Sequence, residues 1–208
     1  MADWQTISAL ATAGGTLVLA VATFGAIRSS NRSARVAERA LLAGIRPVLT
    51  QTLAGDPPQK ALWSDRHMAK VEAGRAVAER VDGVIYLAFG VRNVGSGIAL
   101  VHGWSIAPNF HREDPVAPDE FVRQGIDIYV PPNGVALWES ALREPAEAIF
   151  GDIAACITDR ESFVVDVLYG DQDGGQRSIS RFIVLPAGDD GWFTQVPRHW
   201  NVDRPAPR

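Results

Sequence analysis

The residues of this chain that could do chemistry gather in a few short stretches. The first is "VRNVGSGIALVHGW", residues 91–104, where Asn93, Gly95 and Gly97 separate two apolar runs. Glycines so spaced can cradle a phosphate on backbone N–H groups. That use requires G-x-G-x-x-G between a strand and a helix, or a glycine followed by Lys-Ser or Lys-Thr. Here Gly95 and Gly97 lead into Leu100 and Val101, and "IALVHGWSIAP" continues as a β-branched and aromatic run. The stretch reads as a corner in a sheet. Its glycines are free to take positive φ, and Asn93 can bond nearby backbone.

Three further groups invite a metal or a reaction. "HRED", residues 111–114, offers three potential ligands in a loop, but successive residues do not define a coordination geometry, and a solvated loop accounts for them. "DQDGG", starting at Asp171, opens like a calcium loop. Its fifth position is Gly175 and its twelfth is Phe182, where an acid is required, so a hairpin turn is expected. His102 and His199 stand beside Trp104 and Trp200, and Cys156 sits in an apolar helical segment; packing explains all three. A hydrolase or ligand-binding enzyme would have to use His102, His111 and Asp127, along an edge spanning residues 102–127. No Ser-His-Asp order or carboxylate pair supports it. The expectation is no catalytic residue, no cofactor and no metal.

The elements that position these residues begin with a membrane anchor. Residues 6–27 carry no charge, and about 20 apolar residues suffice to cross the hydrocarbon core. Trp4 suits the interface, and Leu10, Gly14, Leu17, Val21, Phe24 and Ile27 belong to the span. A cleaved signal peptide would open with basic side chains, whereas "MADWQ" has none. Arg28, Arg32, Arg35, Arg39 and Arg46 follow, against the single acid Glu38. That excess places the large domain in the cytoplasm, at an inner membrane, with the arginines near anionic lipid. Small residues four apart (Ala9 and Ala13, Ala11 and Gly15, Ala22 and Ala26) would admit self-association of the span. The helix is expected to continue to Gly44, because Pro47 cannot extend it.

Beyond Arg46 the apolar period becomes alternating. "DGVIYLAFGVRN" is apolar on both faces, as in the middle of a sandwich, and "IDIYVPPNGVALW" gives two strands joined at a Pro and Asn-Gly turn. Residues 66–81 stay open between helix, which their alanines favour, and a strand hairpin, which Gly74 and the flanking Asp-Gly favour; strands are the assignment carried forward. "FVVDVLYGDQDGGQRSISRFIVLP" makes a hairpin whose return strand has a polar face at Ser178 and Ser180. One helix is inserted at "REPAEAIFGDIAACITD", with Pro145 in its first turn and Ile149, Phe150, Ile153 and Ile157 on one face. The resulting fold class is mainly β: an N-terminal transmembrane helix followed by an immunoglobulin-like antiparallel β-sandwich with one inserted helix. Residues 1–45 form the anchor and juxtamembrane helix, 46–186 the sandwich, and 187–208 a tail. In that tail Trp192, Phe193 and Trp200 occupy a context that builds neither strand nor helix; they either dock on the sandwich, which is the expectation, or meet a partner.

Totals narrow the function. The chain has 208 residues, a formal charge of -4 and one cysteine, which argues against nucleic acid as a partner and requires no oxidising compartment. Lysine occurs only at Lys60 and Lys70. The stretches "LLAGIRP", "VRNVGSGIALVHGW", "DIYVPPNGVALW", "VLYGDQDGGQRSISRF" and "RHWNVDRPAPR" resemble motifs of an uncharacterised family of actinobacterial membrane-anchored proteins. That resemblance implies the anchored β-sandwich and no catalytic residues. The functional expectation is a membrane-anchored cytoplasmic module that binds another protein. The alternatives are the enzyme at the 102–127 edge and, if the orientation is reversed, an extracytoplasmic sensor.

Overall fold

The computed structural model describes residues 3–108, 114–188 and 191–203. The chain divides into two units, one ending at Gly44 and one starting at Ile45.

The first unit is one unbroken helix, α1 (Trp4–Gly44), of 41 residues. Residues 7–44 contain an 18-residue window of mean hydropathy 1.8, none of it buried in the fold. At 1.5 Å per residue α1 is about 60 Å long, roughly twice the hydrocarbon thickness. It is long and apolar enough to cross a membrane. Within its apolar part the Thr12 and Thr16 hydroxyls donate to the carbonyls of Ser8 and Thr12, at 2.9 and 2.8 Å. Those bonds satisfy polar groups that lipid could not.

The second unit is mainly strand: β1 (Leu49–Gln51), β2 (Gln59–Leu62), β3 (Met68–Val71), β4 (Arg75–Val81), β5 (Val84–Asn93), β6 (Ala99–Ala107), β7 (Val122–Val130), β8 (Val135–Leu142), β9 (Phe163–Asp171), β10 (Ser178–Ala187) and β11 (Gly191–Asn201). Nine of them form one antiparallel sheet in the order β1-β5-β4-β11-β10-β9-β6-β7, with β8 on the other edge of β5. The sheet curls until its two halves face each other. Phe89 on β5 stacks on Trp138 of β8 and on Phe182 of β10, both at 4.6 Å, and Trp104 of β6 meets Trp138 edge-on at 5.8 Å. The halves join where β4 meets β11, through Ala76↔Trp192 and Arg75↔Phe193. The single inserted helix, α2 (Ala148–Asp159), sends Phe150, Ile153, Ala154 and Cys156 into the same core. It ends at Arg160, whose φ of 57° turns the chain and whose N–H donates to the Cys156 carbonyl.

The apolar faces of β5 have separate covers. Ile85, Leu87, Phe89 and Val91 point into the main core, while Tyr86 and Ala88 meet Ala61, Trp63 and Val71 of the β2–β3 hairpin. A strand buried on both faces loses the alternating signature of a half-exposed one.

Three local expectations are corrected. The tail is not an irregular docked segment: residues 191–201 are β11, paired with β10 from Ala187↔Gly191 to Ser178↔Asn201. Trp192, Phe193 and Trp200 therefore belong to the sheet, and no boundary falls near residue 187. Ser178 and Ser180 do not form an exposed polar face; they are 2% and 0% exposed and share the inward side of β10 with Phe182. Pro145 precedes the helix, whose N-cap is Glu147.

Candidate functional site

The corner at residues 93–97 is closed by main chain. A Cβ on Gly95 would lie 2.3 Å from the Arg46 carbonyl oxygen, and one on Gly97 only 1.7 Å from that of Ile45. Neither glycine is among those with positive φ. Close passage of residues 45–48, and not a left-handed backbone, is what excludes side chains here. Asn93 fills the remaining space and is fully buried. Its Oδ1 accepts from the N–H groups of Val48 (3.1 Å) and Gly95 (2.9 Å), and its Nδ2 donates to the carbonyls of Gly97 (2.6 Å) and Val130 (2.9 Å). Its own backbone bonds Gly134 and Asn133 in the turn between β7 and β8. Asn93 thus uses both lone-pair sites and both amide hydrogens on protein backbone, so its side chain has no donor left for a phosphate.

Beside this corner lies the arrangement most like a catalytic pair. The Ser180 Oγ is 2.8 Å from Nδ1 of His199, 3.0 Å from the Tyr169 hydroxyl and 2.9 Å from the Leu49 carbonyl oxygen. A carbonyl only accepts, so the single Ser180 proton goes to Leu49. The serine oxygen then accepts, from the Tyr169 hydroxyl and from Nδ1–H of His199. Tyr169 in turn accepts from the Leu49 N–H at 3.2 Å. The imidazole donates to the serine instead of taking its proton, and Ser180 is 0% exposed. This is a buried clasp on β1, not a nucleophile with its base. Arg46 extends it by bonding the Asn201 side-chain oxygen.

The two histidines the structure describes near the sequence-derived sites carry depressed pKa values. At His199 desolvation acts first and the Arg46 charge second; at His102 desolvation is again first, then the Arg177 charge, with Asp127 and Asp171 opposing. Each ring binds its proton more weakly folded than unfolded. Stability contributed by their neutral forms is therefore present above the unfolded value of about 6.5 and is lost as pH falls through it. We expect the chain to lose stability between about pH 7 and pH 5. The His102→Gln/His199→Gln double variant should show a flatter profile in chemical denaturation across that range. Equal slopes would remove the histidines as the cause.

The proposed enzyme edge is only partly present among the described residues. His102 lies on β6 with Gly170 beside its ring, and Asp127 is on β7. His111 lies outside the described residues. Asp114, from the same "HRED" stretch, is exposed and offers its carbonyl to Arg181 at 3.4 Å. Among the described residues no group of three His, Cys, Asp or Glu side chains could hold a metal. "DQDGG" is a turn: Gly174 has φ +73°, and the Asp171 carboxylate accepts from Gly175 N–H at 2.7 Å and from the Gln176 side chain at 3.3 Å. Cys156 is buried, which raises its thiol pKa.

The tail aromatics pair with arginines. Trp192 is buried edge-on to Phe163 at 5.7 Å, with the Arg160 guanidinium 4.6 Å from its ring. Phe193 is exposed beneath Arg75 at 4.0 Å, and Trp200 is half-buried beneath Arg181 at 4.8 Å. On α1, Trp4, Leu10, Leu17, Val21, Phe24 and Ile27 are all exposed, as a span facing lipid would be.

Sequence reasoning missed the β2–β3 hairpin as a surface. Its inner side is fixed by Trp63, His67 and Tyr86: His67 stacks on Tyr86 at 4.0 Å, and Trp63 meets Tyr86 edge-on at 5.1 Å. The Tyr86 hydroxyl donates to Asp65 at 2.5 Å, Arg143 donates to the same oxygen at 2.7 Å, and His67 is 2.8 Å from Glu79. Those two hydrogen bonds hold the Asp65 carboxyl well below the usual carboxylate range. The outer side shows Leu62 opposite Met68, 59% and 73% exposed, and Lys60 opposite Lys70. The available signal was that the only two lysines flank one turn; their pairing depends on a register that four-residue strands do not advertise. Compared with known proteins, the chain matches no family, no curated protein and no solved structure.

Proposed function

We propose that the chain is a single-pass, membrane-anchored interaction module, with α1 in a bacterial inner membrane and an immunoglobulin-like cytoplasmic sandwich that binds another protein. The observation that carries this reading is the outer face of the β2–β3 hairpin. Leu62 and Met68 are large apolar side chains left in solvent, on strands whose inner side is pinned by aromatic and ionic contacts. A rigid face loses little conformational freedom on binding. Lys60 and Lys70 stand directly opposite each other, a like-charge pair that costs stability unless an anion is near. Glu72 meets Lys70 at 2.6 Å and leaves Lys60 for a partner with acidic and apolar groups.

Two measurements test the reading. A photo-crosslinking residue at Met68 should give a discrete adduct with one protein in living cells, and Lys60→Glu/Lys70→Glu should abolish it. A cytoplasm-specific reporter fused after Arg208 should be active, and alkaline phosphatase fused there should be silent. Phosphatase activity would reverse the orientation. Failure of any discrete adduct would remove the hairpin as the binding face.

A further inference from the structure

The arginines after the apolar run of α1 are arranged, not merely numerous. Arg28, Arg32, Arg35 and Arg39 follow one another at spacings of four, three and four. At about 100° per residue they fall within an arc of about 60°, and they extend about 16 Å along the axis. Glu38 lies roughly a quarter turn away. Every ion pair among the described residues lies in the second unit, so none of these four guanidinium groups is neutralised there.

Membrane orientation needs a count of cations near the leaflet, not a stripe. Because α1 is unbroken from Trp4 to Gly44, residues beyond Ile27 continue along the axis of the apolar segment. Arg28 and Arg32 then lie near the headgroups. Arg39 stands about 16 Å further out than Arg28, about two screening lengths at physiological salt, so lipid is not the anion that this end of the stripe meets. Eleven residues over three intervals, about 3.7 per turn, keep the four on one side of a nearly straight helix, where a second helix can follow the row. A second copy of α1 packed in parallel on this face would set arginine against arginine, which is unfavourable.

We infer that this face of α1 docks an acidic helix of a different protein, one that carries carboxylates at the same four-three-four spacing. The inference rests on the reading of the chain as an anchored binding module and adds a second, rod-like contact to it. Such a partner would run alongside α1 as it leaves the membrane, each guanidinium meeting a carboxylate across the seam. Exposed pairs of this kind are individually weak, and their effect comes from register.

The test uses the full chain in lipid discs of neutral composition and two synthetic helical peptides of identical composition. One carries four glutamates at four-three-four spacing on one face; the other spreads them around the helix. The matched peptide should bind about tenfold more tightly. The Arg35→Glu/Arg39→Glu variant, shown by circular dichroism to keep its helix, should lose that preference. Equal binding of the two peptides would overturn the inference. So would protection of Arg35 and Arg39 from trypsin when anionic lipid is added without peptide, which would assign the stripe to the membrane surface. The adduct at Met68 is read independently, so loss of peptide discrimination with the adduct intact refutes this contact and leaves the module.

Discussion

Alanine at Gly97 is expected to destabilise the β unit by more than about 4 kcal/mol, in the range reserved for severe overpacking. The added Cβ would sit 1.7 Å from the carbonyl oxygen of Ile45, a main-chain atom that cannot rotate away. Displacing it would also pull residues 46–49 from Asn93, Tyr169 and Ser180, which hold that segment through its backbone. Two companions separate the causes. Gly97→Asn should be equally damaging, since asparagine relieves only a demand for positive φ; tolerance of it would restore the conformational explanation. Gly125→Ala should change stability by less than about 0.5 kcal/mol, because a Cβ there meets nothing within 4 Å. Asn93→Ala should fall between them, at about 3 kcal/mol, since it strands two N–H groups and two carbonyls, the carbonyls in buried bonds. Thermal and denaturant unfolding of the full chain, followed by circular dichroism, checks the series.

Asp166→Ala is expected to cost about 3–5 kcal/mol, the usual penalty for breaking a buried ion pair from one side. Asp166 on β9 and Arg181 on β10 are cross-strand neighbours, and their side chains are only 3% and 2% exposed. The guanidinium donates in parallel, Nε to Oδ1 and Nη2 to Oδ2, both at 2.7 Å. This geometry offsets much of the desolvation of both charges. Removing the carboxylate takes from the buried Arg181 its two-point acceptor, and neither the Asp114 carbonyl nor the Trp200 ring beside it carries a formal charge. The double replacement Asp166→Leu/Arg181→Met should recover most of the loss, because well-packed apolar substitutes of similar volume escape desolvation altogether. If the double variant is as unstable as the single one, the pair does more than neutralise itself. A single variant near wild-type stability would mean that water reaches the guanidinium.

What could be read from the sequence followed from contiguous residues. The apolar run at 6–27, the arginines after it and the switch to alternating strands are properties of neighbours along the chain, so helix and mainly β fold were legible without contacts. The turn at Asp171–Gln176 was legible for the same reason, whereas residues 66–81, whose alanines favour helix and whose Gly74 favours a hairpin, are strands through their pairing with β2 and β5. The rest was settled between residues far apart. Residues 191–201 are a strand because β10 offers them a ladder, although Pro197 and the surrounding arginines spoil the local pattern. Ser180 faces inward because β1 lies against it and its hydroxyl donates to the Leu49 carbonyl, 131 residues away. The glycines of the corner matter because residues 45–48 cross them, and no feature of "NVGSG" says which main chain will pass there. Tertiary contact decides these points because a buried polar or small residue is defined by the atom it meets, and the local sequence carries no record of that atom.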